Sequence, residues 1–217
     1  MKKACINIPL LIFALLVFDA LAYIFAVQPW ISRWGASAAE LSRTLPGDEL
    51  VPAPQINSTH AITIHASVEQ VWPWIVQMGQ GRGGLYSYEE LENLAGCDIH
   101  NAGSILPEYQ TLNVGDKIRL GPDGYPFYVV RAVENQRALV LGSPSSDAAY
   151  GGSWVFYLES IDAQTTRLLV RSRGAYENTP GNFFIWRVMT EPLSFIMEQK
   201  MMRGIQERAE GKNISLW

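Results

Sequence analysis

The sequence predicts an α+β domain in which a curved antiparallel sheet wraps one long C-terminal helix, preceded by one transmembrane helix. Three observations carry this expectation. The first is an apolar run of 22 residues, Ile6 to Val27; the second is a series of period-two segments between Val114 and Arg173; the third is a helical stretch that begins at Pro192 and runs to about Glu210. At 217 residues the chain has room for one domain and an appendage. With 21 acidic against 17 basic residues it lacks the basic footprint of a nucleic-acid binder, so that partner is excluded.

The apolar run is interrupted only by Asn7, Pro9 and Asp19. At about 1.5 Å per residue it spans a hydrocarbon core of about 30 Å. Lys2 and Lys3 precede it, and Trp30, Arg33 and Trp34 follow it as an interfacial belt would. Asp19 costs about 2.5–3.5 kcal/mol near mid-bilayer, and the Leu, Ile and Phe residues around it, at about −0.3 to −0.6 kcal/mol each, outweigh this. Residues 1–35 are therefore expected to be a membrane anchor, single-pass, with the remainder on the non-cytoplasmic side. The rival reading is a cleaved signal with Ala20-Leu21-Ala22 as its small-residue site.

Residues 36–57 read as a linker, broken by Pro46, Gly47, Pro52 and Pro54. The folded domain is expected over residues 58–217. It opens with a strand over His60–Ala66, in which Ile62 and Ile64 alternate with Thr63 and His65. Ser67 and Gln70 form a capping box before a helix whose stripe is Val68, Val71, Trp72 and Ile75. A second box, Ser87 and Glu90, predicts a short helix ending at Gly96. Strands are expected over Val114–Leu120, Phe127–Val133, Arg137–Leu141, Ser153–Ser160 and Thr165–Arg173; the short spacings between them imply hairpins. Asn182–Thr190 and the stretch from Pro192 read as two helices. An apolar sheet face needs a cover, and the last helix is long enough to supply it.

This order of elements resembles the START-like, or SRPBCC, superfamily that includes polyketide-cyclase-like proteins. A local likeness to a membrane-anchored bacterial branch of it lies in Val71-Trp72-Pro73-Trp74-Ile75-Val76-Gln77-Met78-Gly79-Gln80-Gly81-Arg82-Gly83-Gly84. It continues in Tyr86-Ser87-Tyr88, Leu91-Glu92-Asn93-Leu94 and Asp98-Ile99-His100-Asn101. The resemblance implies a helix-grip fold and a cavity between sheet and C-terminal helix for a lipid, quinone or polyketide-like molecule. It implies no shared catalytic set, so the site has to be argued from its own residues.

Gly79-Gln80-Gly81-Arg82-Gly83-Gly84 matches G-x-G-x-x-G, but a helix precedes it where a dinucleotide site needs a strand. It reads as a connection needing positive φ, or as a lip on the cavity with Arg82 facing an acidic head group. Tyr86 and Tyr88 can either pack or offer a hydroxyl to a ligand. Asp98 and His100 share a side in an extended segment and, with Glu108, are the acid–base candidates; His100-Asn101 also reads as a hydrogen-bonding loop. His60 and His65 would face opposite sides of a strand, so no metal is expected, nor any cofactor. Arg171 and Arg173 share a face with Leu169 and are expected on the solvated side of the sheet.

The expected binding set is Arg82, Tyr86, Tyr88, His100, Asn101, Trp154, Phe156, Met197 and Met201, with no catalytic residue assigned. Trp154 and Phe156 share the inner face of a strand, and the methionines are adaptable filler on the covering helix. The leading expectation is a membrane-tethered binding or carrier domain whose partners are a hydrophobic small molecule and membrane lipid. The alternatives are a cyclase- or hydrolase-like enzyme using Asp98, His100 or Glu108, and a ligandless interaction domain.

Overall fold

The computed structural model describes residues 8–144 and 151–212. Lys2, Lys3 and the first residues of the apolar run lie outside the described residues. Helix α1 (Ile8–Ala22) passes through a π turn (Tyr23–Val27) into α2 (Gln28–Ile31). Its stretch Leu11–Ile31, 21 residues, is long and apolar enough to cross a membrane. Phe13, Phe18 and Phe25 on it are exposed.

Six antiparallel strands form one sheet: β1 (Ile56–Ile64), β2 (Lys117–Arg119), β3 (Phe127–Glu134), β4 (Ala138–Gly142), β5 (Gly152–Asp162) and β6 (Thr165–Gly174), in the order β1-β6-β5-β4-β3-β2. β2 to β6 follow one another as hairpins, and β1 returns beside the last strand. As an edge strand β1 has unpaired amides on its free side. The segment after α2 takes two of them: Thr59 N donates to Ser32 O at 2.8 Å and Ala61 N to Trp34 O at 3.1 Å.

The connection from β1 to β2 holds α4 (Val68–Val76) and α5 (Glu89–Leu94). The Ser67–Gln70 capping box forms as expected. The second box does not: Ser87 Oγ instead donates to Met197 O at 3.0 Å, because the long helix passes close by and its carbonyl competes for the hydroxyl. In the glycine-rich connection, Gly79, Gly81 and Gly84 all have positive φ. A Cβ on Gly84 would lie 2.5 Å from Asn101 Oδ1, so tight folding of this loop, not phosphate binding, accounts for the glycines.

The two expected C-terminal helices form one run: α6 (Pro180–Phe183), a π turn (Phe184–Thr190) and α7 (Glu191–Ala209). Pro192 cannot donate to Val188, and its ring crowds that carbonyl. The wider π turn just before it absorbs the conflict without ending the helix. Pro29, following the π turn of the N-terminal helix, stands in the same relation. α7 approaches the α4–α5 connection closely enough to need Gly204, where a Cβ would lie 2.4 Å from the Tyr86 carbonyl oxygen.

On the inner face of the sheet, Phe156, Leu158, Leu168 and Val170 pack against Val71 and Ile75 of α4 and Met202 and Ile205 of α7. Burying each such side chain stabilises by about 1.5–3 kcal/mol. Over the outer face run residues 37–51, including α3 (Ala38–Ser42), with Leu45 and Val51 buried. Arg171, expected on the solvated side of the sheet, is instead only 4% exposed, because this strap covers it. It donates to Thr59 Oγ1, to the carbonyls of Glu40 and Arg43, and to Asp48 Oδ2 at 2.8 Å. Arg167 pairs with Glu40 at 2.7 Å and Arg173 donates to Asp48 O. Three arginines on one sheet face need acceptors, and the strap brings them.

Candidate ligand cavity

The packed core fills only the half of the sheet covered by α4 and the C-terminal part of α7. Toward the other end, the N-terminal half of α7 stands off the sheet and leaves a cavity of about 540 Å³. Its sheet wall is a row across three strands, Ser58 on β1, Ser172 on β6 and Trp154 on β5, with Tyr128 of β3 against Trp154 at 5.8 Å between ring centroids. Leu193, Met197 and Met201 form the helical wall, and Leu85, Ser87 and Glu92 close one side. The wall is mostly apolar with a few convergent polar groups, the composition small-molecule sites share.

The polar groups centre on Glu198. Its Oε1 lies 2.5 Å from His60 Nδ1, and its Oε2 accepts from Trp154 Nε1 at 3.0 Å and Ser172 Oγ at 3.2 Å. His60 Nε2 lies 2.8 Å from the Ile31 carbonyl, which can only accept, so this nitrogen carries a hydrogen. Glu198 already accepts from Trp154 and Ser172, and its contact with Nδ1 favours a proton on that nitrogen, so below the raised pKa of the imidazole the two form an ion pair. Burial pulls the imidazole down, but Glu198 and the Ile31 carbonyl more than reverse this, leaving its pKa above the ordinary 6.5. Burial and the Glu198 charge push Tyr128 up to about 12, so its hydroxyl stays a neutral donor.

Glu92 is another buried carboxyl on the wall. It is 8% exposed, and its Oε2 has no hydrogen-bond partner among the described residues. Burial, helped by Glu89, pushes it up to about 7. A carboxyl raised in this way favours the fold while protonated; its contribution is whole below its ordinary 4.5 and is lost as pH rises through about 7. Glu92→Gln is therefore expected to melt higher than the wild type at pH 8 and to converge with it toward pH 4.5. Superimposable melting profiles from pH 4.5 to 9 would show that Glu92 is ionised without cost.

Of the residues singled out from sequence, Trp154, Met197 and Met201 line the cavity. Phe156 lies beneath, fully buried, its ring 4.7 Å from that of Trp154. The others are grouped elsewhere. Arg82 donates to Val76 O and Tyr109 O and sits over the Tyr109 ring. Tyr86 is buried edge-on to Trp74, with Arg208 over its face; burial raises its hydroxyl. Tyr88 lies under Lys200. Asn101 takes the Tyr86 amide and donates to Ser87 O, stapling the loop. His100 does meet Asp98, at 3.0 Å, with Glu89 at 3.4 Å, but both His100 and Asp98 are open to solvent; Glu108 is exposed as well. Among the described residues, no group of three His, Cys, Asp or Glu side chains is placed to hold a metal.

One strand, two short helices, a five-strand meander and a long helix across the inner face: this is the START-like helix grip. No protein-family model matches the sequence, and no curated protein does. Solved structures similar to it include an HSP90 activator from Plasmodium falciparum, with TM-score 0.46 and 11% identity over 72% of this chain and 97% of that one. A START superfamily protein from Mycobacterium smegmatis follows with TM-score 0.43 and 10% identity over 71% and 97%. A polyketide-cyclase-like protein from Corynebacterium glutamicum gives TM-score 0.33 and 15% identity over 71% and 87%. The fold assignment rests on the order and pairing of the elements, not on these superpositions.

Proposed function

We propose that this protein is a membrane-tethered binding or carrier domain that holds a hydrophobic small molecule between the sheet and the N-terminal half of α7. The observation that carries the reading is the cavity itself, about 540 Å³ and walled by Trp154, Tyr128, Leu193, Met197 and Met201. Its volume falls within the range of about 300–1,000 Å³ found for small-molecule sites. Ser58, the Tyr128 hydroxyl and the free oxygen of Glu92 are the polar groups that would orient a largely apolar ligand. α1 serves as the tether, with the domain on the non-cytoplasmic side, and poorly soluble ligands partition where the tether holds it.

The test is mass spectrometry of small molecules extracted from the full-length protein purified in a non-ionic detergent. Wild type is expected to carry a stoichiometric apolar species, and Met197→Trp, which fills the cavity, is expected to lose it while remaining folded. Equal retention by both proteins would place the molecule outside the cavity. An empty wild type would sink the reading. The tether is tested separately: the full chain should resist extraction by alkaline carbonate.

A further inference from the structure

The start of the long C-terminal helix carries an unusual set of exposed side chains. Phe183, Phe184, Ile185, Val188, Met189, Leu193 and Ile196 are all more than a third exposed, with Phe184 at 55% and Met189 at 60%. A helix facing water on that many sides would be polar there; one that is apolar nearly all round is covered by protein or by lipid.

Its neighbour indicates which. Tyr23 donates its hydroxyl to Arg187 O, Gln28 donates to Glu191, and the ring of Trp30 meets that of Phe195 edge-on at 5.4 Å. These contacts ascend together, so the two helices run side by side in the same direction, with a sequence offset that stays between 163 and 165. The matched π turns, each ahead of a proline, sit next to one another. Continued upward, the offset brings Phe183 level with Asp19 and Met189 level with Phe25. Any bilayer that accommodates α1 and the π turn after it up to Val27 therefore also surrounds Phe183–Met189.

The chemistry of the segment suits that depth. Between Pro180 and Thr190 the one charged side chain is Arg187, neutralised by buried Glu191 at 3.1 Å. The backbone is helical throughout, so its amides and carbonyls are satisfied internally, as hydrocarbon requires. The inner side of the same segment faces the cavity: Trp186, stacked on Tyr176, and Thr190 are part of its wall.

We propose that Phe183–Met189 is embedded in the same leaflet as the end of the apolar run at Val27, with phospholipid acyl chains covering its exposed face. The cavity wall on this side is then a membrane-immersed helix, and a ligand passes between acyl chains and cavity along Trp186 and Leu193 without crossing water. The proposal rests on the tether reading above, and the experiment separates the two.

Full-length protein carrying Cys5→Ser and Cys97→Ser receives single cysteines in turn at Phe18, Phe184, Met189 and Val114, each labelled with an environment-sensitive fluorophore. The four are reconstituted into phosphatidylcholine vesicles containing lipids with a nitroxide on the acyl chain. Labels at Phe184 and Met189 are expected to lose fluorescence as the label at Phe18 does, while the label at Val114, an exposed position in the β1–β2 connection, keeps it. Quenching at Phe18 with Phe184 and Met189 as bright as Val114 would overturn the immersed helix and leave the tether standing. No quenching at Phe18 or at the helix positions would overturn both.

Discussion

Glu198→Leu is expected to destabilise the protein by about 3–5 kcal/mol, because it strands a buried cation. His60 would keep its proton on Nε2 for the Ile31 carbonyl but lose the carboxylate at Nδ1; Trp154 Nε1 and Ser172 Oγ would lose their acceptor. The measurement is urea unfolding of the detergent-solubilised chain, followed by tryptophan fluorescence. Adding His60→Leu should recover much of the loss, since removing both charges of a buried pair costs far less than removing one. The wild type supplies a second arm. A histidine whose pKa is raised by folding stabilises fully below its ordinary 6.5 and loses that contribution as pH climbs through the raised value. The single variant should lack this component. A single variant within 1 kcal/mol of wild type, or one no more stable with the second substitution added, would show that the pair is neutral and dispensable.

Arg171→Met is expected to cost a similar amount, about 3–5 kcal/mol, by a different route. The substitution keeps the bulk of the side chain but removes donors from Asp48, Thr59 and the carbonyls of Glu40 and Arg43, all held beneath or within the strap. Each buried acceptor left unpaired costs about 1–3 kcal/mol. The strap should then release from the sheet, which limited proteolysis reports as new cleavage between residues 36 and 55. Arg171→Lys should rescue little, since one ammonium cannot reproduce the planar fork that reaches several acceptors at once. A methionine variant with wild-type stability and an uncut strap would mean that Leu45 and Val51 hold the strap without help.

The architecture was legible in the sequence because it is written in local pattern. Alternation between Ser153 and Arg173 places Phe156 and Val170 on one face of the sheet, and Ser67 with Gln70 marks the start of α4. Reading failed where a distant group competes with a local one. Ser87 carries the signature of a cap, but the Met197 carbonyl takes its hydroxyl from 110 residues away. Pro192 looks like a helix start until the π turn before it lets the helix continue. The candidate site was legible on its apolar side, at Trp154, Met197 and Met201, and not on its polar side. His60 and Glu198 are 138 residues apart, and nothing local to either distinguishes it from a surface residue. His60 alternates in phase with Ile62 and Ile64, which places it on the inner face, but its partner on the covering helix could not be read from that alternation.

The bonds from Thr59 and Ala61 to Ser32 and Trp34 bear on how the chain can be cut. An exposed strand edge is a template for another molecule, and proteins avoid self-association by covering it. Here the cover is supplied by residues immediately beyond the apolar helix. Cleavage at Ala22 would spare it, whereas a fragment beginning after Trp34 would present the free edge of β1 to its neighbours. Such a fragment would be prone to strand-to-strand assembly and aggregation, even though every strand of its own sheet is intact.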